Sequence, residues 1–524
     1  MATLHTTAFI HPNLYKDSVA LMRVAQRLLA LPGVVNATLQ MGNPANKEIL
    51  LEAGLLTAAV KDAGPSDIMV VVQAQNQAAC DAAVAECRGQ LAGNETPDAG
   101  AGGTPNAAVT PKTIAMGLAQ ARNGVAGAIN VAQISVPGAY AAAEALKAVK
   151  QGLNVFMFSD NVPLAQEVAI KQEAGRRGLL VMGPDCGTAI IGGVPLGFAN
   201  NVRRGSIGLV AASGTGLQEV TTQIHRMGGG VSHAIGTGGR DVYADVGGAT
   251  MLQGIALLAA DAATKVIAIV SKPPAPAVAQ KVLDALVAAG KPAVVLFLGA
   301  DLKPPSARVK VVRTLVDCAA VATRLARARG TAPPRYGIPK RPAFAASQKY
   351  LRALYSGGTY ASEAQILWAQ HGLQVWSNVP VNKELALANP RSASFGHTAL
   401  DLGDDEFTVG RPHPMIDQAA RIERLMKEAA DPSVRVIVLD VVIGWGAHAD
   451  PAGELATAIV KARALAGNGG RHLAVLGFVC GTEQDPQVLS QQEARLRGAG
   501  MVLTGNSANA AWLAAQWVAQ AGAR

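Results

Sequence analysis

Ser213, Gly214, Thr215 and Gly216 stand where an apolar run, residues 207–212, gives way to a helical pattern. Small residues at a strand-to-helix turn leave backbone N–H groups pointing into open space, with the positive end of the helix dipole behind them. The chemistry such a turn supports is anion binding. A second turn of this kind is "GWGAHAD", residues 444–450, with Gly444, Gly446 and Ala447 as N–H donors and His448 as a group able to move a proton. The turn "GTGGRD" adds Gly236, Gly238, Gly239 and Arg240, whose planar fork suits a carboxylate or phosphate. Cys480, Gly481 and Thr482 end another apolar strand and complete the candidate substrate set. Each has a plainer use as well. Glycine at a βα turn also serves tight packing, Arg240 reads equally as a surface residue, and His448 as a helix cap.

Other chemistries are less well served. Cys186 in "GPDCGTA" has no histidine near it in sequence, so nucleophilic catalysis is not expected there. The five cysteines, at 80, 87, 186, 318 and 480, show no CxxC and no disulfide framework. Reduced thiols in a cytoplasmic protein are the expectation, with Cys80 and Cys87 in a core. His233 reads as a core histidine, and Asp485 as a residue able to orient a substrate amide. The phrase "DLGDDEFTVGRPHP" gathers Asp401, Asp404, Asp405, Glu406, Arg411 and His413, but without ligand spacing. An acidic loop or partner surface is the preferred reading, and no metal site is expected.

These residues need strands and helices to position them. Residues 1–92 read as a small α+β domain, ferredoxin-like, and 93–112, rich in Gly, Pro, Asn and Thr, as a linker. A βαβ rhythm then marks a Rossmann-like domain at 113–203, without a GxGxxG. Residues 204–330 form a flavodoxin-like unit. A basic linker at 331–350 leads to a second such unit at 351–524, whose opening "QKYLRALYSGGTYASEAQILWAQHG" reads as helix, glycine turn, helix. The fold class is α/β, with two related doubly wound domains.

Composition agrees. Half of the 524 residues are hydrophobic, only 4% are aromatic, and 56 are glycine, which suits tightly packed α/β layers. The net charge of +9 is concentrated in residues 301–350, where eleven Lys and Arg face two Asp. That Pro-rich stretch has no aromatic interleaving, so nucleic acid is not expected. Neither a signal peptide nor an uncharged run of about 20 apolar residues is found, so no membrane span is expected.

The phrases "DNVPLAQEVAIKQEAGRRGLLVMGPDCGTAIIGG" and "RGSIGLVAASGTGLQEVTTQIHRMGGGVSHAIGTGGRD" resemble the α subunit of succinyl-CoA synthetase and other NDP-forming acyl-CoA synthetases. "VIVLDVVIGWGAHADPAGELATAIV" resembles the carboxyl-terminal domain of that enzyme's β subunit. Their joining, with "LYSGGTYASEA" and "DLGDDEFTVGRPHPMID", is most similar to the FdrA family. The resemblance implies a phosphoryl group held between two helix N-termini, by position at 213–216 and 444–450. It also implies a CoA-binding-type domain, with Pro137, Gly138, Gly183 and Pro184 at the cofactor.

The departures matter. The synthetases carry phosphate on a histidine after a strand matching "VVLFLGADLKPPSARVKV", and here no histidine follows that strand before residue 371. There is no room for an ATP-grasp domain between residues 330 and 350, and the glycine-rich CoA loop is absent. No cofactor is therefore required, although CoA remains open. The resemblance implies a carbamoyltransferase subunit moving a carbamoyl group between phosphate and oxamate or a similar amide, in allantoin breakdown. Partners would be carbamoyl phosphate or another small acyl phosphate, the oxamate-like substrate, further subunits and a second copy of the chain. The alternatives are an acyl-CoA synthetase or CoA-transfer subunit, and a regulatory or scaffold subunit that binds a phosphorylated metabolite without turnover.

Overall fold

The computed structural model describes residues 4–14, 16, 18–91, 111, 113–124, 129–328, 336–337, 339–408 and 411–519. The expected linker at 93–112 lies almost wholly outside the described residues, as does part of the basic one at 331–350. The chain divides into two units, Met1–Thr110 with Asp405–His413, and Pro111–Asp404 with Pro414–Arg524.

In the first unit the order is β1 (His5–His11), α1 (Ser18–Leu29), β2 (Val34–Met41), α2 (Pro44–Glu52), β3 (Ile68–Ala74) and α3 (Gln77–Leu91). The strands form an antiparallel sheet in the order β1-β3-β2. Cys80 and Cys87 face its core with Leu21, Leu28, Val70 and Val72, as their two-turn spacing predicts. Burial pushes the Cys87 thiol up to about 12, so it stays protonated.

The second unit opens with α4 (Ile114–Gly124), β4 (Val131–Ile134), α5 (Gly138–Lys150), β5 (Asn154–Met157), α6 (Leu164–Arg176) and β6 (Val181–Met182). These three strands make a short parallel sheet. A hairpin follows, β7 (Thr188–Ile191) and β8 (Val194–Gly197), and it joins the next sheet. The change of sheet thus falls before residue 188 and not at 204, because Ile190 pairs with Ala234 of the following domain.

That next sheet contains β9 (Arg204–Ala211), α7 (Gly214–Arg226), β10 (Val231–Gly236), α8 (Ala249–Ala260), β11 (Val266–Ser271), α9 (Pro276–Ala289), β12 (Ala293–Phe297), β13 (Val309–Val311) and α10 (Leu315–Leu325). Its order is β13-β12-β11-β9-β10-β7-β8, parallel apart from the hairpin. From β10 to β13 this is the flavodoxin order, with the chain reversing direction across the sheet beside β9.

The last sheet repeats the plan. It runs β14 (Tyr350–Tyr355), α11 (Gly358–Gln370), β15 (Val375–Ser377) and β16 (His397–Asp401), with one helical turn, α12 (Asp405–Thr408), grouped in the first unit. Then come α13 (Ala419–Ala430), β17 (Val434–Val442), α14 (Pro451–Asn468), β18 (Ala474–Cys480), α15 (Leu489–Gly498), β19 (Val502–Leu503) and α16 (Ser507–Val518). The parallel order β15-β16-β14-β17-β18-β19 is again flavodoxin-like, with one added edge strand. The opening of this domain corrects a sequence expectation, for "YLRALY" is its central strand and not a helix. Arg352 in that strand is buried against Glu428, at 2.9 Å, and Asp431, at 3.1 Å. A charged residue neutralised inside the sheet gives the strand an amphipathic look it does not have.

Apolar side chains of both large sheets share one core, including Leu209, Leu217, Val270, Tyr360, Trp368, Val438 and Phe478. Among the described residues no helix is long and apolar enough to cross a membrane.

Candidate functional site

The helix α7 starts from Ser213, whose extended backbone (φ −155°, ψ 119°) lets its Oγ accept from the Gly216 N–H at 2.9 Å. The element that meets this end is α11. Ser213 Oγ lies 2.5 Å from Thr359 Oγ1. A methyl placed on Gly357 would come within 2.4 Å of the Thr215 side chain, so only glycine allows the two ends to touch. Gly357 is the N-cap of α11 and supplies no side-chain cap. The first N–H groups of α11 therefore lack the partner that a serine or aspartate would give. Ser213, Gly214 and Gly358 keep partial exposure, while Thr215, Gly216, Gly357 and Thr359 are buried.

Charged groups stand beside this crease. A methyl on Gly358 would lie 2.8 Å from Asp401 Oδ2 and 3.1 Å from Lys272 Nζ. Lys272 directly follows β11, and Asp401 ends β16 opposite Tyr355 in register. Burial holds the Asp401 carboxyl up to about 7, against the lowering effect of the Gly403 N–H and Lys272. Behind the turn, Ser356 is bound through its N–H to Asp440 Oδ1 at 2.8 Å and through its hydroxyl to Asp440 Oδ2. Arg421 donates twice to the Asp440 carbonyl, at 2.6 and 2.7 Å, which fixes the loop before α11.

The helix N-terminus in contact with 213–216 is thus that of α11, where the expected pairing was with 444–450. The end of α14 is capped by Asp450, which accepts from the Gly453 N–H at 3.2 Å and is paired with Arg495. A resident carboxylate already satisfies that helix end. Gly444 and Gly446 serve close packing instead, since a methyl on either would meet Ala199 O at 2.6 Å or Phe198 at 3.0 Å. His448 Nδ1 accepts from the Asp450 N–H at 3.0 Å, and its Nε2 lies 3.4 Å from Glu454. Those contacts brace the start of α14. Ala447 belongs to the same braced loop.

Arg240 packs beside α6. Its Nη2 donates to Val162 O at 2.7 Å and lies 3.0 Å from the buried Glu167, so this one nitrogen is held by α6 and the loop before it. Lys171 links the same Glu167, at 2.9 Å, to Asp241, at 2.8 Å. Asp241 in turn caps α8 through the Thr250 and Met251 N–H groups. Gly236 and Gly238 allow backbone to approach within contact of Thr188 O and Pro184 O, whereas Gly239 faces open space. The residues expected at CoA also lie where backbones approach closely. Gly138 packs on Asp160 O, and Gly183, before the cis bond to Pro184, packs on Met157 O. Pro137 is the N-cap of α5.

Cys480 lies in the core, 3.7 Å from Thr222 Oγ1, and burial raises its thiol far above the ordinary value. The Cys186 thiol is likewise buried and pushed up to about 12. Gly481 packs on Ile443, and Thr482 donates through its hydroxyl to Asn201 O at 2.7 Å. His233 Nδ1 accepts from the Gly192 N–H at 3.0 Å, a satisfied structural histidine. Of the acidic phrase, Asp401 and Asp404 fall in the second unit and residues 405–413 in the first. Among the described residues no group of three or more His, Cys, Asp or Glu is placed to hold a metal ion. A cavity of about 490 Å³ opens at the far end of α7, where Arg226 donates to the Tyr336 hydroxyl at 2.6 Å and Arg497 pairs with Glu493 at 2.9 Å.

Gly357, Gly358, Thr359 and Lys272 are the residues the sequence reading missed. The available signal was internal. "SGTGLQE" and "GGTYASE" each place a glutamate six residues after the N-cap, Glu219 after Ser213 and Glu363 after Gly357.

Over 97% of its length the chain is 41% identical to the Uncharacterized protein YahF of Escherichia coli K12, 98% of which is covered. It belongs to the YahF family. Within this YahF-family chain, residues 354–518 match the CoA-ligase family, 202–299 the CoA binding domain, and 3–107 the family described as AllF, heavy metal-associated domain. The two large sheets are thus of the acyl-CoA synthetase and succinyl-CoA ligase type. Shorter matches join it to named ligases. The ADP-forming sulfoacetate-CoA ligase subunit SauD of Bilophila wadsworthia is 28% identical over 22% of this chain and 41% of that protein. The succinate–CoA ligase [ADP-forming] subunit alpha of Methanothermobacter thermautotrophicus is 31% identical over 22% and 40%. Among solved structures, dinucleotide-forming acetyl-coenzyme A synthetase 1 of Ca. Korarchaeum cryptofilum covers 75% of this chain and 83% of its own, at 16% identity and a TM-score of 0.32.

Proposed function

We propose that this chain holds the phosphoryl group of a small acyl phosphate at the joined ends of α7 and α11, and serves acyl transfer of the CoA-ligase kind. The observation that carries this reading is the contact of two helix N-termini, one of them without a cap of its own. Attack on the acyl carbon sends an electron pair onto the leaving phosphate. Preorganised N–H donors and two helix dipoles stabilise that charge as it develops. Holding the acceptor against the same acyl carbon supplies the rest.

Two acceptors are consistent with the fold. The thiol of CoA is the better supported, because both large sheets match CoA-ligase and CoA-binding families and the named relatives are ligase subunits. Transfer of a carbamoyl group between phosphate and an oxamate-like amide is the second reading. It is favoured by the lack of any histidine between residues 297 and 371, where the resembled synthetases carry their phosphate. Either reaction would draw on further cytoplasmic subunits.

The test is direct. The purified chain, alone and with the proteins encoded beside it, is incubated with carbamoyl phosphate and oxamate, or with ATP, CoA and simple carboxylic acids. Oxamate-dependent phosphate release assigns carbamoyl transfer, and a thioester product assigns the ligase. Phosphate binding without turnover in any mixture assigns a regulatory subunit. Neither binding nor turnover removes the proposal.

A further inference from the structure

The helix ends supply partial charges only, and a phosphoryl group brings one or two full ones. We propose that Lys272 and Asp401 complete the α7–α11 crease as a receptor for a doubly charged tetrahedral oxyanion, with Lys272 as the counter-charge and the Asp401 carboxyl, in its protonated form, as a hydrogen-bond donor. This assignment rests on the reading of the crease as a phosphate site and adds the groups that set its charge preference.

The two side chains reach Gly358, the first residue of α11, from different sheets. Lys272 Nζ lies 3.1 Å, and Asp401 Oδ2 2.8 Å, from where a methyl on Gly358 would stand. Lys272 is exposed, and its ammonium stands beside the Asp401 carboxyl at the start of α11, so the cation and the acid share one helix N-terminus. Asp401 is only 6% exposed, and its Oδ1 is taken by the Gly403 N–H at 2.9 Å. Its other oxygen, Oδ2, is the one beside Gly358.

An ionised Asp401 would repel a bound anion. The groups acting on it are Lys272, which favours the carboxylate, and Asp404 and Asp440, which oppose it together with burial. The net result, about 7, leaves the proton available at neutral pH, and a bound dianion adds repulsion that holds it more firmly. Anion binding is therefore coupled to proton uptake, and affinity falls as the pH rises past neutrality.

Inorganic sulfate is the probe, because its charge does not change across the range used. Isothermal titration of the whole chain should show sulfate affinity falling about tenfold or more between about pH 6 and 8.5, with proton uptake on binding. In Asp401→Asn the affinity should stay level within about twofold over that range, because the amide keeps a donor and cannot ionise. Lys272→Met should bind at least about tenfold more weakly at both pH values, and Lys272→Arg should recover most of the loss. Lys272 is exposed, so these two variants test the assignment even if Asp401→Asn does not fold. Undiminished binding by Lys272→Met, no proton uptake by the unmodified chain, or an unchanged pH slope in folded Asp401→Asn overturns the assignment and leaves the phosphate reading standing. Failure of the unmodified chain to bind either sulfate or inorganic phosphate overturns both.

Discussion

Thr215 and Gly357 show what the site demands of single residues. Gly357 has φ −167°, an extended backbone open to any side chain, so glycine is there for space. The nearest obstacle is the Thr215 side chain, whose Cγ2 and Oγ1 lie 2.4 and 2.7 Å from the position of an added methyl. Gly357→Ala should therefore destabilise the fold by roughly 1–3 kcal/mol and weaken phosphate binding, since overpacking pushes the two helix ends apart. Thr215→Ala removes both offending atoms. In the double variant much of the stability and affinity should return, a coupling that denaturant unfolding and phosphate titration of all four proteins would measure. Additive effects would mean that the two helix ends are not in contact. Half of this pair is legible in the sequence, because Ser-Gly-Thr-Gly follows an unbroken apolar strand. Gly357 is harder to place, since the strand before it carries Arg352.

At the scale of elements, α7 and α11 are held by what lies two turns below their tips. Glu219 Oε1 accepts from the Ser507 N–H at 3.4 Å, and Glu363 accepts from the Leu315 N–H at 2.7 Å and the Ser507 hydroxyl. Ser507 and Leu315 are the first residues of α16 and α10, so two further helix N-termini point at these carboxyls. Burial nevertheless dominates and raises both carboxyls to about 7. In the unfolded chain they return to about 4.3. Between about pH 4 and 7 the folded chain thus binds more protons than the unfolded one, and stability falls as the pH rises through that window before levelling off. Glu219→Gln keeps the size and an acceptor oxygen without the ionisation. Its melting temperature should drop less than that of the unmodified chain between about pH 5 and 8, and parallel curves would contradict the role given to Glu219. The alternation of strand, glycine turn and helix is readable from the sequence because parallel strands buried on both faces form continuous apolar runs. Which two helix ends meet is not readable, because Ser213 and Thr359 are 146 residues apart and their contact depends on how two sheets are stacked. The turn at 444–450 has the composition of an anion site, and only its own Asp450 discloses that the place is taken.

For the second unit as a whole, the two large sheets are locked by a clasp that includes neither helix tip. Asn200, Asn201 and Thr482 all donate to Asp485: Asn200 Nδ2 at 2.8 Å, the Asn201 N–H at 2.7 Å and the Thr482 N–H at 2.8 Å. Asn200 also donates to Ile443 O at 2.7 Å, and Asn201 Nδ2 to Gln484 O at 2.7 Å. The segment between β8 and β9 is thereby tied to the loops after β17 and β18. Asp485, first read as a residue able to orient a substrate amide, has its carboxylate fully engaged by this clasp. Removing it leaves three donors in or near the core without their acceptor, at about 1–3 kcal/mol for each one that water cannot reach. Asp485→Ala should therefore lose at least about 3 kcal/mol in denaturant unfolding. It should also bind phosphate more weakly, although Asp485 caps neither α7 nor α11, because the crease exists only while the two sheets stay stacked. A variant that loses the stability but binds phosphate as the unmodified chain does would show that the helix ends are held together by their own contact alone.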